Sequence, residues 1–284
     1  MNNELGILQG RLTNPRERTG IQFPLYNLDE IRTEFEIAKY INLDYIEWNI
    51  CKGIPNLFLG NFYDQQQIEG LIKSTNTQIN SVCLDYLMDL DLKNNEILNF
   101  AKDSINWIAN IASNIGCKII MIPIHNINMN MLQIGDLISL ILERYNIKIV
   151  FEFLDSSSST GITFLNSLQE DVNLGCCFDI GNNCLILSNI VTPPQKNYES
   201  IIKEMTNYHA HNYLYHIHIK EKDKHGNTVQ LGNGLIGKKG WKKIFKFLKD
   251  IDYSGDFTLQ VAREENGKET ETIKKQIEFI KDLM

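Results

Sequence analysis

Proline is scarce in this chain, six in 284 residues, and nothing resembling a linker is long enough to part it into halves. The only low-complexity tract is Ser156–Ser159, so residues 1–284 are expected to form a single domain. Paired cysteines are missing too. Cys51, Cys83, Cys117, Cys176, Cys177 and Cys184 form no CxxC pair and no dense framework, which argues for reduced, mostly buried thiols rather than a disulfide scaffold. Basic excess is absent: 28 Lys and Arg face 35 Asp and Glu, a net charge of −7. That balance argues against a broad nucleic-acid footprint and leaves room only for a local basic pocket. No apolar run approaches the roughly 18 residues of a membrane span. The opening MNNELGILQGRL lacks the basic and apolar regions of a signal peptide, so a cytoplasmic protein with no membrane partner is expected.

What the chain does have is alternation. Eight β-rich runs, Leu5–Arg11, Asp44–Ile50, Gln78–Tyr86, Cys117–Pro123, Ile147–Leu154, Leu174–Ile180, Leu214–Lys220 and Asp256–Ala262, are separated by longer helical ones. The helices are expected near 28–42, 64–74, 95–115, 131–144, 163–170, 196–212, 240–250 and 268–283. Within 95–115, Ile97, Phe100, Ala101, Ile105, Ile108, Ile111 and Ala112 follow a 3.6-residue period, as do Trp241, Ile244, Phe245, Phe247 and Leu248 later on. Eight strand–helix pairs in strict order are what a closed (β/α)8 barrel, a TIM barrel of the α/β class, requires. The rival doubly wound sheet lacks its usual phosphate loop: no GxGxxG follows the first run and no GxxxxGK[ST] occurs.

Strand side chains alternate between helices and barrel interior. If the bulky apolar set (Ile149, Phe151, Phe153; Cys176, Phe178, Ile180; Tyr215, Ile217, Ile219; Phe257, Leu259, Val261) lies under the helices, then Glu152, Asp179, His218 and Gln260 point inward. Each sits toward the C-terminal end of its strand, the catalytic end of such barrels. Ionised carboxylates are costly there without a cation, and one divalent metal ion supplies it. Mixed N and O ligands suit Mn²⁺, Mg²⁺, Co²⁺ or Zn²⁺. The alternative is pairing of Glu152 and Asp179 with Lys220 or Arg263.

At these residues the chain resembles the xylose isomerase-like TIM barrels, a superfamily of sugar-phosphate isomerases and epimerases that also includes endonuclease IV. GILQGRLTNP with IQFP, EFEIAKYINLDYIEW, FEFLD, CFDIGN, HIHIKEKD, LGNG and GDFTLQVAR carry the resemblance over essentially the whole chain. The bacterial subgroup it is most similar to is the hexulose-6-phosphate isomerase-like one. The resemblance implies that Glu152, Asp179 and His218 are metal ligands, His218 rather than His216 because it directly precedes Ile219-Lys220-Glu221. Its last ligand is usually Glu, and here it is Gln260, which can bind a metal through its carbonyl but cannot abstract a proton. A second departure is Asn182, where many relatives have His.

The chemistry so implied is proton abstraction next to a carbonyl through an ene-diolate. Glu152 is the expected general base, and His216, one pleat deeper than His218, is expected to orient a ligand or donate a proton. Arg11, Lys220, Lys224 and Arg263 cluster at strand ends, which suggests an anionic substrate such as a sugar phosphate or sugar acid. Glu47 and Asn182 are candidate contacts for substrate hydroxyls, with Asp85 and His125 just past their strands. The glycines Gly232, Gly234, Gly237 and Gly240 before the seventh helix are a candidate phosphate loop. Three other readings stay open: a dehydratase using the same ligands, a non-catalytic sugar- or protein-binding barrel, and an endonuclease IV-like phosphodiesterase using Asp223 and His225. A homo-oligomer is compatible with the resemblance.

Overall fold

Runs of alternating side chains pair edge to edge into a closed barrel in the computed structural model, which describes residues 3–13, 27–51, 62–90, 94–124, 135–154, 157–168, 173–184, 197–262 and 268–284. Its strands are β1 (Leu5–Leu8), β2 (Tyr45–Asn49), β3 (Gln78–Cys83), β4 (Ile119–Ile124), β5 (Lys148–Phe153), β6 (Leu174–Asp179), β7 (Leu214–Ile219) and, after a short hairpin of β8 (Glu221–Lys222) and β9 (Thr228–Val229), β10 (Asp256–Leu259). The barrel runs β1-β10-β7-β6-β5-β4-β3-β2 with all of its pairings parallel. The hairpin was not foreseen in the sequence; it is an insertion at the mouth.

Around the strands lie α1 (Leu28–Tyr40), α2 (Phe62–Thr75), α3 (Asn95–Asn114), α4 (Gly135–Arg144), α5 (Ser158–Ser167), α6 (Asn197–Ala210), α7 (Gly237–Asp250) and α8 (Glu269–Lys281). Asparagine side chains cap two of them: Asn27 accepts from Glu30 N, and Asn94 from Glu96 N. Helix α7 buries Trp241, Ile244, Phe245 and Leu248 against the sheet, as its period requires. Helix α5 starts earlier than expected, at Ser158 rather than near 163, because Glu204 on α6 accepts from the Ser158 amide at 2.6 Å. The periodicity of α3 also overreaches: Phe100 is 60% exposed. No described helix is long and apolar enough to cross a membrane.

One core lies between strands and helices, and a smaller one plugs the barrel: Cys83, Ile119, Met121, Val150 and Cys177, with Tyr215 packed against them. Tyr215 corrects the simple alternation, which put it under the helices. Cys176 pairs with Leu214 but Cys177 with His216, so Tyr215 is left over as a bulge. Its ring turns inward over Gly175, where an added Cβ would lie 2.0 Å from it. Gly175→Ala is therefore expected to cost about 1–3 kcal/mol by overpacking, read as a lower urea midpoint. An unchanged midpoint would mean that the ring has room to move.

Candidate functional site

Above that plug the inward side chains change from apolar to polar. Tyr45 Oη and Thr258 Oγ1 are 2.8 Å apart, with Gly6 leaving space for the tyrosine ring. The next layer is built round Glu47, a carboxylate with no exposed surface. His216 Nε2 lies 3.1 Å and His218 Nε2 3.3 Å from Glu47 Oε2, with a second approach of His218 Nε2 to Oε1 at 3.1 Å. Ser81 Oγ donates to the same carboxylate at 2.8 Å. Burial alone would push Glu47 toward its neutral form. Attraction and hydrogen bonds from the two imidazoles override it and hold the carboxyl well below the usual range. The same partnership raises His218 against its own burial, to about 9.

At the rim of this layer, three adjacent strands bring Glu152 (β5), Asp179 (β6) and His218 (β7) together. One ligand-capable atom from each lies within 4.8 Å of the other two. With Nε2 turned down to Glu47, His218 keeps Nδ1 toward the mouth, 3.8 Å from Glu152 Oε2 and 2.8 Å from Gln260 Nε2. Lys220 closes the set, its Nζ 2.6 Å from Asp179 Oδ2 and 2.9 Å from Gln260 Oε1. Burial drives the Glu152 carboxyl upward and the neighbouring Asp179 adds to this, while Lys220 and His218 bring Asp179 below its ordinary value against burial. Two buried carboxylates thus share one ammonium. Two carboxylate oxygens and one imidazole nitrogen converging on one point fit a divalent cation, with the carboxylate below orienting the histidine as such sites require. A second trio, Cys177, His216 and His218, lies beneath it. There burial holds the Cys177 thiol protonated, which leaves the upper trio as the better donor set.

Glu152, Lys220 and Gln260 line a cavity at the C-terminal mouth, and Asp179 and His218 are buried beside them and do not line it. Its volume of about 570 Å³ suits a small metabolite. Arg11, Asn49, Asp85, Lys222 and Asn227 line it along with Glu152, Asn182, Lys220 and Gln260. Asn182 Nδ2 donates to Glu152 Oε1 at 3.1 Å and its backbone amide to Asp179 Oδ1 at 2.7 Å. Asp85 accepts from Asn49 Nδ2 at 2.8 Å and from the Cys83 thiol at 3.1 Å, and burial raises its carboxyl.

The structure therefore gathers Glu152, Asp179, His218, Gln260, Lys220, Asn182 and Arg11 at one mouth, and moves three other expected residues elsewhere. Glu47 and His216 lie below the cavity and do not line it. The sequence pattern gives which way a side chain points, not how deep its strand sits. Lys224 is exposed at the hairpin tip, and Lys222 takes its place on the wall. That swap was available in the sequence: alternation continues past β7, putting Lys220 and Lys222 on one face and Glu221 on the other. His125 and Arg263 fall outside the described residues.

Glu221 also disposes of the candidate phosphate loop. Gly232, Gly234 and Gly237 have GxGxxG spacing and open α7, yet their amides are taken. Glu221, with no exposed surface, accepts from the backbone N–H of Gly232, Gly234, Ile236 and Gly237 and from Trp241 Nε1. The anion in this nest is the chain's own. Asp223 likewise closes its own turn, accepting from the amides of His225 and Asn227, and His225 is exposed.

A family model described as xylose isomerase-like TIM barrel matches residues 35–283. Among solved structures, a xylose isomerase domain protein from Planctomyces limnophilus is similar at 15% identity and TM-score 0.69, over 98% of this chain and 95% of that one. D-Psicose 3-epimerase from Clostridium cellulolyticum H10, solved with D-tagatose, is similar at 13% identity and TM-score 0.70, over 99% of both chains. The IOLI protein, solved with a zinc atom, gives 14% identity and TM-score 0.67 over 99% and 97%. No curated protein matches the sequence.

Proposed function

Because the chain belongs to the xylose isomerase-like TIM barrel family, we propose that it is an isomerase or epimerase of a small sugar, working with one divalent metal ion held by Glu152, Asp179 and His218. The observation that carries this is the meeting of those three donors, within 4.8 Å of one another, with Glu152 on the wall of a sugar-sized cavity. Sugar epimerases share the fold, and one similar protein was solved with zinc. A bound divalent ion supplies Lewis-acid polarisation of a substrate oxygen.

The rest falls to the side chains. Glu152 takes the proton from the carbon next to the carbonyl; its burial and raised carboxyl match a base working near neutrality. Asn182 holds one Glu152 oxygen and leaves the other to work. Lys220 and Asn182 orient substrate hydroxyls, and Arg263 remains a proposed contact. Gln260 has its oxygen on Lys220 and its nitrogen on His218; it would join the metal through its oxygen once the amide turns over, and it cannot act as a base. Transfer of one proton between adjacent carbons needs Glu152 alone; two-face epimerisation would draw on Asp85, the other carboxylate on the described cavity wall.

A ketopentose or ketohexose, tested free and as its phosphate or acid, should turn over after Mn²⁺ addition, with about one ion taken up per chain, and turnover should stop on chelation. Glu152→Gln should lower kcat about 10²–10⁴-fold. Turnover that persists in chelator, in a chain that takes up no Mn²⁺, would overturn the metal assignment. Uptake without turnover of any sugar would leave a binding barrel.

A further inference from the structure

Two cations on the cavity wall make no salt bridge among the described residues, and the one nearby carboxylate acting on Arg11, Glu34, is engaged by backbone amides. Arg11 follows β1 and Lys222 follows β7, the strands flanking β10, and neither has an ion-pair partner within 4 Å among the described residues. Arg11 is fixed from behind, since the buried Glu34 carboxylate accepts from the amides of Gly10, Arg11 and Leu12. Among the described residues its guanidinium makes one hydrogen bond, Nη1 to Val261 O at 3.3 Å, while Nε is buried with no hydrogen-bond partner there. Lys222 is half-buried, and burial together with the repulsion of Lys220 weakens its hold on its proton. Lys220 differs, being paired with Asp179. Unpaired buried cations are costly, and a guanidinium with a free edge is built for a carboxylate or phosphate.

We propose that Arg11 and Lys222 form an anion subsite above the end of β10, which takes a phosphate or carboxylate group carried by the sugar. This rests on the isomerase or epimerase reading and narrows its substrates to anionic sugars. Barrels of this fold frequently bind phosphate beyond their seventh and eighth strands through backbone amides. Here Glu221 fills the amide nest in that sector, so side-chain cations must do the work. Arg11 and Lys222 line the same cavity as Glu152, so one bound sugar can reach the cations with its anionic group and Glu152 with its reacting carbons.

The test is calorimetric titration of the purified protein with inorganic phosphate and, separately, with D-glucuronate, alongside Mn²⁺ titration of each variant. Phosphate should bind, and Arg11→Met and Lys222→Met should each weaken it about tenfold or more. Lys224→Met, at the exposed hairpin tip, should change nothing, and Mn²⁺ uptake should stay normal in all three. Phosphate sensitive to both variants with glucuronate silent identifies a phosphorylated sugar; the reverse identifies a sugar acid. Binding of either probe that ignores both variants, or binding of neither, overturns the subsite. If Mn²⁺ is still taken up in that case, the metal-site reading stands without it. Should Arg11→Met fail to fold, Lys222→Met alone decides, since Lys222 holds no described partner in place.

Discussion

Glu221→Gln should destabilise the protein by about 3 kcal/mol and Glu221→Ala by about 5 kcal/mol, with the midpoint of urea unfolding falling accordingly. One carboxylate oxygen of Glu221 accepts from Gly234, Ile236 and Gly237, and the other from Gly232 and Trp241 Nε1. Glutamine keeps the shape but turns an NH2 group onto one of those donor sets, leaving at least two buried N–H groups facing another donor. Alanine orphans all of them. Bonds to an ionised acceptor contribute about 1.5–3 kcal/mol each, though not additively, so the estimate is set by the unsatisfied donors. Glu271→Gln makes the comparison: its partner Lys275 and Glu271 itself are both solvent-exposed, and removing that pair should leave the midpoint nearly unmoved. If Glu221→Gln behaves like Glu271→Gln, the loop amides must find water, and the nest is not what holds the loop.

Glu47→Ala should cost about 3–5 kcal/mol, the range for stripping one partner from a buried ionic group. Glu47 takes hydrogen bonds from Ser81 and both imidazoles inside the barrel, where no solvent can replace it. Glu47→Gln keeps volume and some of these bonds, so a smaller loss of about 1–3 kcal/mol is expected. A second effect separates orientation from packing. With Glu47 gone, His218 loses the partner that holds its Nε2, only Gln260 still meets its Nδ1, and Mn²⁺ affinity should fall about 10–100-fold. Loss of stability with Mn²⁺ affinity intact would make Glu47 a packing group only. Stability within 1 kcal/mol of the parent would refute both roles.

The barrel was legible because eight apolar β-rich runs alternate in strict order with helical ones, and each late strand (β5, β6, β7 and β10) carries its own side-chain alternation. Glu152, Asp179, His218 and Gln260 could be set facing inward from that pattern alone. What could not be read depends on pairs of elements. Tyr215 turns inward because β6 and β7 slip register by one residue, a fact that belongs to neither strand separately. The depth of Glu47 and His216 is set by how the strands are staggered round the barrel. Phe100 keeps the period of α3 yet lies where no neighbour covers it. Glycine spacing at 232–237 announces amides open to an anion; only the fold says whose anion it is.

Glu34 binds the loop after β1 as Glu221 binds the loop before α7, each from a buried carboxylate behind the rim. Loops elsewhere are usually the first parts of a protein to open. Here two stretches of the mouth are anchored at several amides apiece, so their opening is tied to unfolding of the barrel itself. The shape presented by those two stretches exists before any ligand arrives, and little ordering entropy has to be surrendered there on binding. Discrimination between substrates at these two sectors then rests on fit to a standing contour, not on which molecule can draw the rim shut.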